Sequence, residues 1–147
     1  MTRSELDAAL RALLRSPTAL ALGRRTGRRR EDPWHTGACL VLATAVHHWL
    51  GDRSELVQLG GSNAHIFVRV NDVAIDADGA RPVSELLALW ERSSDFDPAR
   101  HDMTVLSQAA AERSGVEFDD YASERLLVLL RAKLPPASEA MTSLEAT

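Results

Sequence analysis

The chain contains one cysteine, Cys39, at the start of an apolar stretch that extends to Leu50 and predicts a buried helix. Thr36 is the predicted N-cap, which would place Cys39 about three residues into the helix. Backbone amides in a first helical turn lack intrahelical partners and carry partial positive charge, so we expect them to favour the thiolate. Because the thiolate is the nucleophilic form, Cys39 is a candidate catalytic nucleophile.

A histidine and two aspartates follow on a predicted β-hairpin. Apolar and polar residues alternate over 65–70, and a second apolar run over 73–76 would return as the partner strand. A two-residue turn at Asn71 and Asp72 would set His65 opposite Asp78 and diagonal to Asp76. Both carboxylates would then share the histidine's face of the sheet, where one of them could orient the imidazole.

Other elements are predicted around this centre. Amphipathic patterns indicate helices over 4–15, 84–90 and 121–134, and a short strand over 55–59. Pro135 and Pro136 would end the last helix, and the small, polar residues 137–147 are predicted to form a disordered tail. We therefore expect an α+β protein in which residues 1–136 form a single domain with a core at about 34–90.

Size, charge and hydropathy restrict the function classes. A chain of 147 residues can bury a core without disulfides, and a net charge of -4 argues against general nucleic-acid binding. The N-terminus lacks a secretory signal, and no apolar run approaches the roughly 20 residues needed to span a bilayer. The default expectation is a cytoplasmic protein, although effector-type secretion needs no such signal. Substrate identity, oligomeric state and delivery route stay open.

Three segments together resemble the papain-like and transglutaminase-like cysteine hydrolases, in particular their compact bacterial branch with a Cys-His-Asp order. They are Thr36-Gly37-Ala38-Cys39-Leu40, Ala64-His65-Ile66-Phe67-Val68 and Ile75-Asp76-Ala77-Asp78-Gly79. The resemblance covers residues 34–90. It implies a papain-like core in which a central helix, with the cysteine at its N-terminus, packs on a small antiparallel sheet flanked by helices.

The resemblance also implies a chemistry and a set of roles. Cys39 would be the nucleophile, His65 its base, and Asp76 the acid that orients the imidazole, with Asp78 as second choice. The backbone N–H of Cys39 would contribute to the oxyanion hole. The expected reaction is acyl transfer at an amide of a protein or peptide substrate (peptidase, deamidase or amidase type), without cofactor or metal.

Three further residues are candidates for substrate binding. Trp34 could form a wall of the active site, His35 could line its mouth, and Asn63 could hydrogen-bond an intermediate.

Other interpretations remain open at the level of sequence. No glutamine precedes Cys39 as an oxyanion donor, since residues 33–35 are Pro-Trp-His, and this favours a catalytically inactive binding or effector-interaction module as the alternative. His35, His47 and His48 invite a metal site with Cys39, but adjacent histidines on a helix point to different faces. The arginine-rich segment 24–30 could dock an acidic partner or nucleic acid, or it could be a solvated loop.

Overall fold

The computed structural model describes residues 1–60, 65–93 and 102–146, which form a mixed α/β structure of helices around an antiparallel sheet. The helices are α1 (Arg3–Leu14), α2 (Pro17–Gly23), α3 (Cys39–Leu50), α4 (Val83–Glu91), α5 (Gln108–Glu112), α6 (Asp120–Lys133) and α7 (Ala137–Glu145). The strands are β1 (Glu55–Leu59), β2 (His65–Val70), β3 (Val73–Asp76), β4 (Gly79–Pro82) and β5 (Met103–Leu106). No helix of these residues is long and apolar enough to cross a membrane.

The sheet has the strand order β4-β3-β2-β1-β5, and every neighbouring pair is antiparallel. Val70 pairs with Val73, which confirms the two-residue turn predicted at Asn71 and Asp72. Asn71 has a φ of 53°, a left-handed conformation that asparagine tolerates better than most residues. A second tight turn connects β3 to β4, because Asp76 pairs with Gly79.

The two faces of the sheet bury different clusters of side chains. Ile66, Val68 and Val70 belong to the larger core, in which α3 covers the sheet. Phe67 lies between Ile66 and Val68 in the strand, so its side chain is on the opposite face of the sheet. There it belongs to a smaller cluster with Leu86 of α4. Since side chains alternate along a strand, His65 shares the face of Phe67, and the two rings stack with centroids 5.8 Å apart.

Helix α3 is buried because other helices cover the side that faces away from the sheet. It packs against α6, α7 and α5, and its residues 40–46 are all buried. Such all-round burial agrees with a sequence that is apolar on every side.

The C-terminal segment differs from the predicted disordered tail. Residues 137–145 form α7, whose Ala140, Met141 and Leu144 are buried in the larger core. Composition alone did not predict this helix, because only a narrow stripe of its surface is apolar. That stripe packs on α1 and α3.

The packing of α7 predicts a measurable contribution to stability. Leu144 is 1% exposed, so Leu144→Ala should lower the free energy of unfolding by about 2–4 kcal/mol through lost burial and a residual cavity. Val128→Ala, at a side chain 53% exposed in α6, is the control and should change it by less than about 0.5 kcal/mol. Urea unfolding measures both, and equal effects would contradict the docked α7.

Candidate active site

Cys39 is the first residue of α3, and the residue that precedes the helix is Ala38 rather than the predicted Thr36. Ala38 offers no side-chain acceptor to the amides of the first turn. The predicted N-cap was wrong because the Thr36 hydroxyl is engaged elsewhere: it donates to the Asp32 carbonyl (2.6 Å) and accepts from the Arg29 amide (3.0 Å). The first-turn amides of α3 therefore remain free of a side-chain cap.

The arginine-rich segment 24–30 is hydrogen-bonded to the loop that leads into Cys39. Its backbone is tied to Thr36, since the Arg28 amide donates to the Thr36 carbonyl at 2.7 Å. Arg24 Nε donates to the Arg30 carbonyl at 2.7 Å, and Arg25 pairs with Asp119 at 2.6 Å. Arg24 and Arg25 thus stabilise the loop and its packing. The sequence alone had not decided the role of these arginines.

The thiol of Cys39 is mostly buried, and burial raises its pKa above the ordinary value. Hydrogen bonds from the backbone of Ile66, Leu40 and Cys39 itself act in the opposite direction but do not outweigh desolvation. The negative charge of Asp76 adds to the increase. The amides at the helix start therefore favour the thiolate as expected, but burial outweighs them, and a proton acceptor is needed to activate this thiol.

His65 and Asp76 form a hydrogen-bonded pair. His65 begins β2 and Asp76 ends β3, and Nε2 of the ring lies 2.9 Å from Oδ2 of the carboxylate. Asp78 does not occupy this position, because the chain turns after Asp76 and carries Asp78 on the β3–β4 turn. The pairing through Nε2 leaves Nδ1 as the ring nitrogen available to another group.

Asp76 is the centre of a buried polar network. It is 4% exposed, and Arg81 Nη2 lies 3.2 Å from the oxygen that also contacts His65. The Asp78 amide donates to the other carboxylate oxygen at 2.9 Å. Burial alone would raise the Asp76 pKa, but the His65 hydrogen bond, the charges of His65 and Arg81 and this amide outweigh burial and lower it. Asp76 is thus ionised at neutral pH.

The network continues through Asp78 to the loop before Cys39. Asp78 contacts Arg81 Nη2 at 3.2 Å and His35 Nε2 at 3.1 Å, while His35 Nδ1 lies 2.6 Å from Asp32. The hydrogen bond to Asp78 raises the pKa of His35 to about 9, helped by Asp32 and opposed by burial. An imidazolium at position 35 therefore joins the cysteine loop to the β3–β4 turn.

These groups line one cleft of about 550 Å³, which Cys39, His65, Asp76 and His35 share. Cys39 packs against the larger core on the α3 face, whereas His65 stacks on Phe67 on the α4 face. Within residues 1–60, 65–93 and 102–146, no hydrogen bond joins the Cys39 sulfur to the His65 ring. The structure thus pairs the imidazole with its acid and brings the thiol to the same cleft from the other side of β2.

The remaining predicted residues fall in different places. Trp34 is 3% exposed and its indole N–H donates to the Leu14 carbonyl at 3.0 Å, so it is a core residue and not a wall of the cleft. His35 lines the cleft. Asn63 lies outside the described residues.

Of the three histidines raised as metal ligands, His35 lines the cleft with Cys39, whereas His47 and His48 do not. Nδ1 of His47, in the last turn of α3, bonds the Ser54 hydroxyl at 2.7 Å, far along the helix from Cys39. In the described part of the chain, no group of three or more His, Cys, Asp or Glu side chains is arranged to hold a metal ion.

Arg81 is the main residue of the site that the sequence analysis missed. Residues 79–82 form β4, a strand that the sequence analysis did not predict. Arg81 pairs with Ala74 in the sheet, so it lies on the face of Asp76. Alternation along a recognised fourth strand would have placed it there.

Comparison with protein-family models, with curated proteins and with solved structures found no significant match to this chain. The function must therefore be argued from the geometry of the cleft.

The ion pairs of His35 predict a pH-dependent contribution to stability. Because its pKa is raised from 6.5 to about 9, folding favours the protonated ring: the contribution is complete below about pH 6.5 and is lost as the pH rises through 9. The loss of unfolding free energy in His35→Gln should thus be larger at pH 6 than at pH 10. Exposed His48→Gln is the control. A pH-independent difference, measured by urea unfolding, would contradict the ion-pair assignment.

Proposed function

We propose that the protein is a cysteine-dependent hydrolase or acyltransferase that acts on amide bonds, with a papain-like arrangement of helix and sheet. The observation that carries this proposal is that a free thiol at a helix start lines the same cleft as a hydrogen-bonded imidazole–carboxylate pair. In the proposed roles, Cys39 is the nucleophile, His65 the base, and Asp76 the group that orients the imidazole and stabilises its cationic form.

In the first half-reaction, Nδ1 of His65 takes the proton of the Cys39 thiol, and the sulfur attacks the carbonyl carbon of the substrate amide. The imidazolium then gives its proton to the leaving nitrogen as the C–N bond breaks, which leaves a thioester on Cys39. In the second half-reaction, His65 removes a proton from water or another nucleophile. Attack on the thioester releases the acyl product and returns the proton to the sulfur.

One feature supports transition-state stabilisation at this position. The first-turn amides of α3, including that of Cys39, have no side-chain cap and are available to a developing oxyanion. Because burial raises the thiol pKa, the proposed mechanism requires His65 to take the proton at the moment of reaction. The proposal requires Sγ and Nδ1 to come within hydrogen-bonding reach as the thiol reacts, since catalytic hydrogen bonds are often long in the unliganded protein.

Alkylation of Cys39 tests the proposed base directly, because it is the only thiol in the chain. At pH 7, His65→Gln should slow modification by iodoacetamide about tenfold or more, since the buried thiol would lose its proton acceptor. Labelling of the variant should then rise only at alkaline pH. Intact-protein mass spectrometry over time gives the rates.

His48→Gln is the matched control, because His48 is exposed near the opposite end of α3, and it should label at the wild-type rate. Cys39→Ala gives the blank. Equal rates in wild-type and His65→Gln protein across the pH range would show that the histidine does not act on the thiol.

A catalytically inactive binding module is the second candidate. It is favoured by the raised thiol pKa and by the lack, within the described residues, of a hydrogen bond between Cys39 and His65. This candidate predicts that Cys39→Ala retains full biological activity, whereas the hydrolase loses its activity.

A further inference from the structure

Arg81 is a mostly buried cation of the cleft that the proposed reaction steps do not use. Its side chain is 15% exposed, and it pairs with Ala74 where β4 lies beside β3. This register puts the side chain on the sheet face that carries Asp76. One guanidinium nitrogen, Nη2, lies 3.2 Å from Oδ2 of Asp76 and 3.2 Å from Oδ2 of Asp78. Arg81 is therefore shared between two carboxylates.

The carboxylate of Asp76 connects this cation to the imidazole. The oxygen that contacts Arg81 also lies 2.9 Å from Nε2 of His65. An ionised carboxylate can only accept hydrogen bonds, so Nε2 carries the proton of the neutral ring in this contact. Nδ1 is then the unprotonated nitrogen, and the proposed mechanism assigns the proton of Cys39 to it. The ionised state of Asp76 thus determines which ring nitrogen can act as a base.

Arg81 is the permanent cation among the groups that act on Asp76. In the described part of the chain, the titratable side chains that face this carboxylate are Cys39 of α3, His65 of β2, Asp78 of the β3–β4 turn and Arg81 of β4. Helix α4 covers the same face with mainly apolar side chains. His35, another cation of the cleft, is bound to Asp78. Without Arg81, two neighbouring carboxylates would repel each other, and the Asp76–His65 pair would take up a further proton more readily.

That further proton would disable the base wherever it resides. On the ring it makes an imidazolium, in which both nitrogens are donors. On the carboxyl group it donates to Nε2, and the proton of the neutral ring then lies on Nδ1. We infer that Arg81 is a positioning residue for the proposed reaction: it holds Asp76 as an ionised acceptor and thereby keeps Nδ1 of His65 unprotonated. The inference rests on the proposed function for the use of Nδ1, but the protonation of the ring can be measured without any reaction of Cys39.

The nitrogen NMR resonances of the His65 ring, assigned with His65→Gln, report which nitrogen carries a proton. In wild-type protein the neutral ring should carry it on Nε2. Arg81→Gln keeps a side-chain N–H donor but removes the charge, so it should raise the pH at which Nδ1 becomes protonated by about one unit or more. Arg81→Lys should reverse most of this shift. A single nitrogen makes both contacts in the native protein, and one ammonium group can replace it.

Arg69→Gln is the matched control, because Arg69 pairs with the other side of Ala74 and lies on the same sheet face. Its side chain is 23% exposed and contacts Glu55 at 3.3 Å, outside the cleft. This variant should leave the protonation of the His65 ring nearly unchanged.

Asp78→Asn tests the same charge balance in the opposite direction, and it does so even where Arg81→Gln does not fold. It removes a negative charge beside Asp76 and leaves Arg81 to Asp76 alone. The pH at which Nδ1 of His65 becomes protonated should therefore fall.

Labelling of Cys39 with iodoacetamide connects the ring to the thiol. On the acidic side of the pH profile, Arg81→Gln should label about tenfold more slowly than the wild-type protein. Arg81→Lys and Arg69→Gln should follow the wild-type profile.

A neutral wild-type ring protonated on Nδ1, equal protonation profiles in wild-type and Arg81→Gln protein, or no fall in Asp78→Asn would each overturn the inference. Ring protonation that depends on Arg81, together with alkylation that does not depend on His65, would retain the role of Arg81 and remove the proposed hydrolase. Alkylation that depends on His65, together with ring protonation that does not depend on Arg81, would retain the hydrolase and remove this inference.

Discussion

The organisation of the cleft depends on one buried charge, the carboxylate of Asp76. A carboxylate 4% exposed is tolerable only when its oxygens are paired, and His65, Arg81 and the Asp78 amide pair them. Each partner comes from a different point on the chain: the start of β2, the middle of β4 and the turn between β3 and β4. Satisfying this charge therefore fixes the imidazole, the hairpin and the fourth strand relative to one another.

The same charge opposes formation of a thiolate nearby. Burial and Asp76 raise the pKa of Cys39, so the amides at the start of α3 do not activate the sulfur by themselves. This balance suits a thiol that is ionised only when a base takes its proton, and it makes His65 the residue on which the proposed chemistry depends. The cationic His35, held by Asp78 and Asp32, connects the loop before the sulfur to this network.

Local patterns predicted the parts of the fold whose signals are local. The register of the β2–β3 hairpin followed from alternation and the Asn71-Asp72 turn, and α3 followed from its apolar sequence. Local patterns could not predict the roles of the residues before Cys39. Thr36 hydrogen-bonds to the arginine-rich segment, and Trp34 hydrogen-bonds to Leu14. Local patterns also could not predict the role of Arg81, because it depends on the pairing of β4 with β3. They could not predict the order of α7, because this helix packs on the surfaces of α1 and α3.

The proposed mechanism requires Cys39 to form a covalent acyl intermediate with help from His65 and Asp76. Mass spectrometry of acid-quenched protein after rapid mixing with p-nitrophenyl acetate tests it most directly. We expect one acetyl group on Cys39 in the wild-type protein, which is lost on further incubation. It should form more slowly in Asp76→Asn, because the imidazole loses its ionised partner. Acetylation of Cys39 at the same rate in wild-type and His65→Gln protein, or none at Cys39, would contradict it.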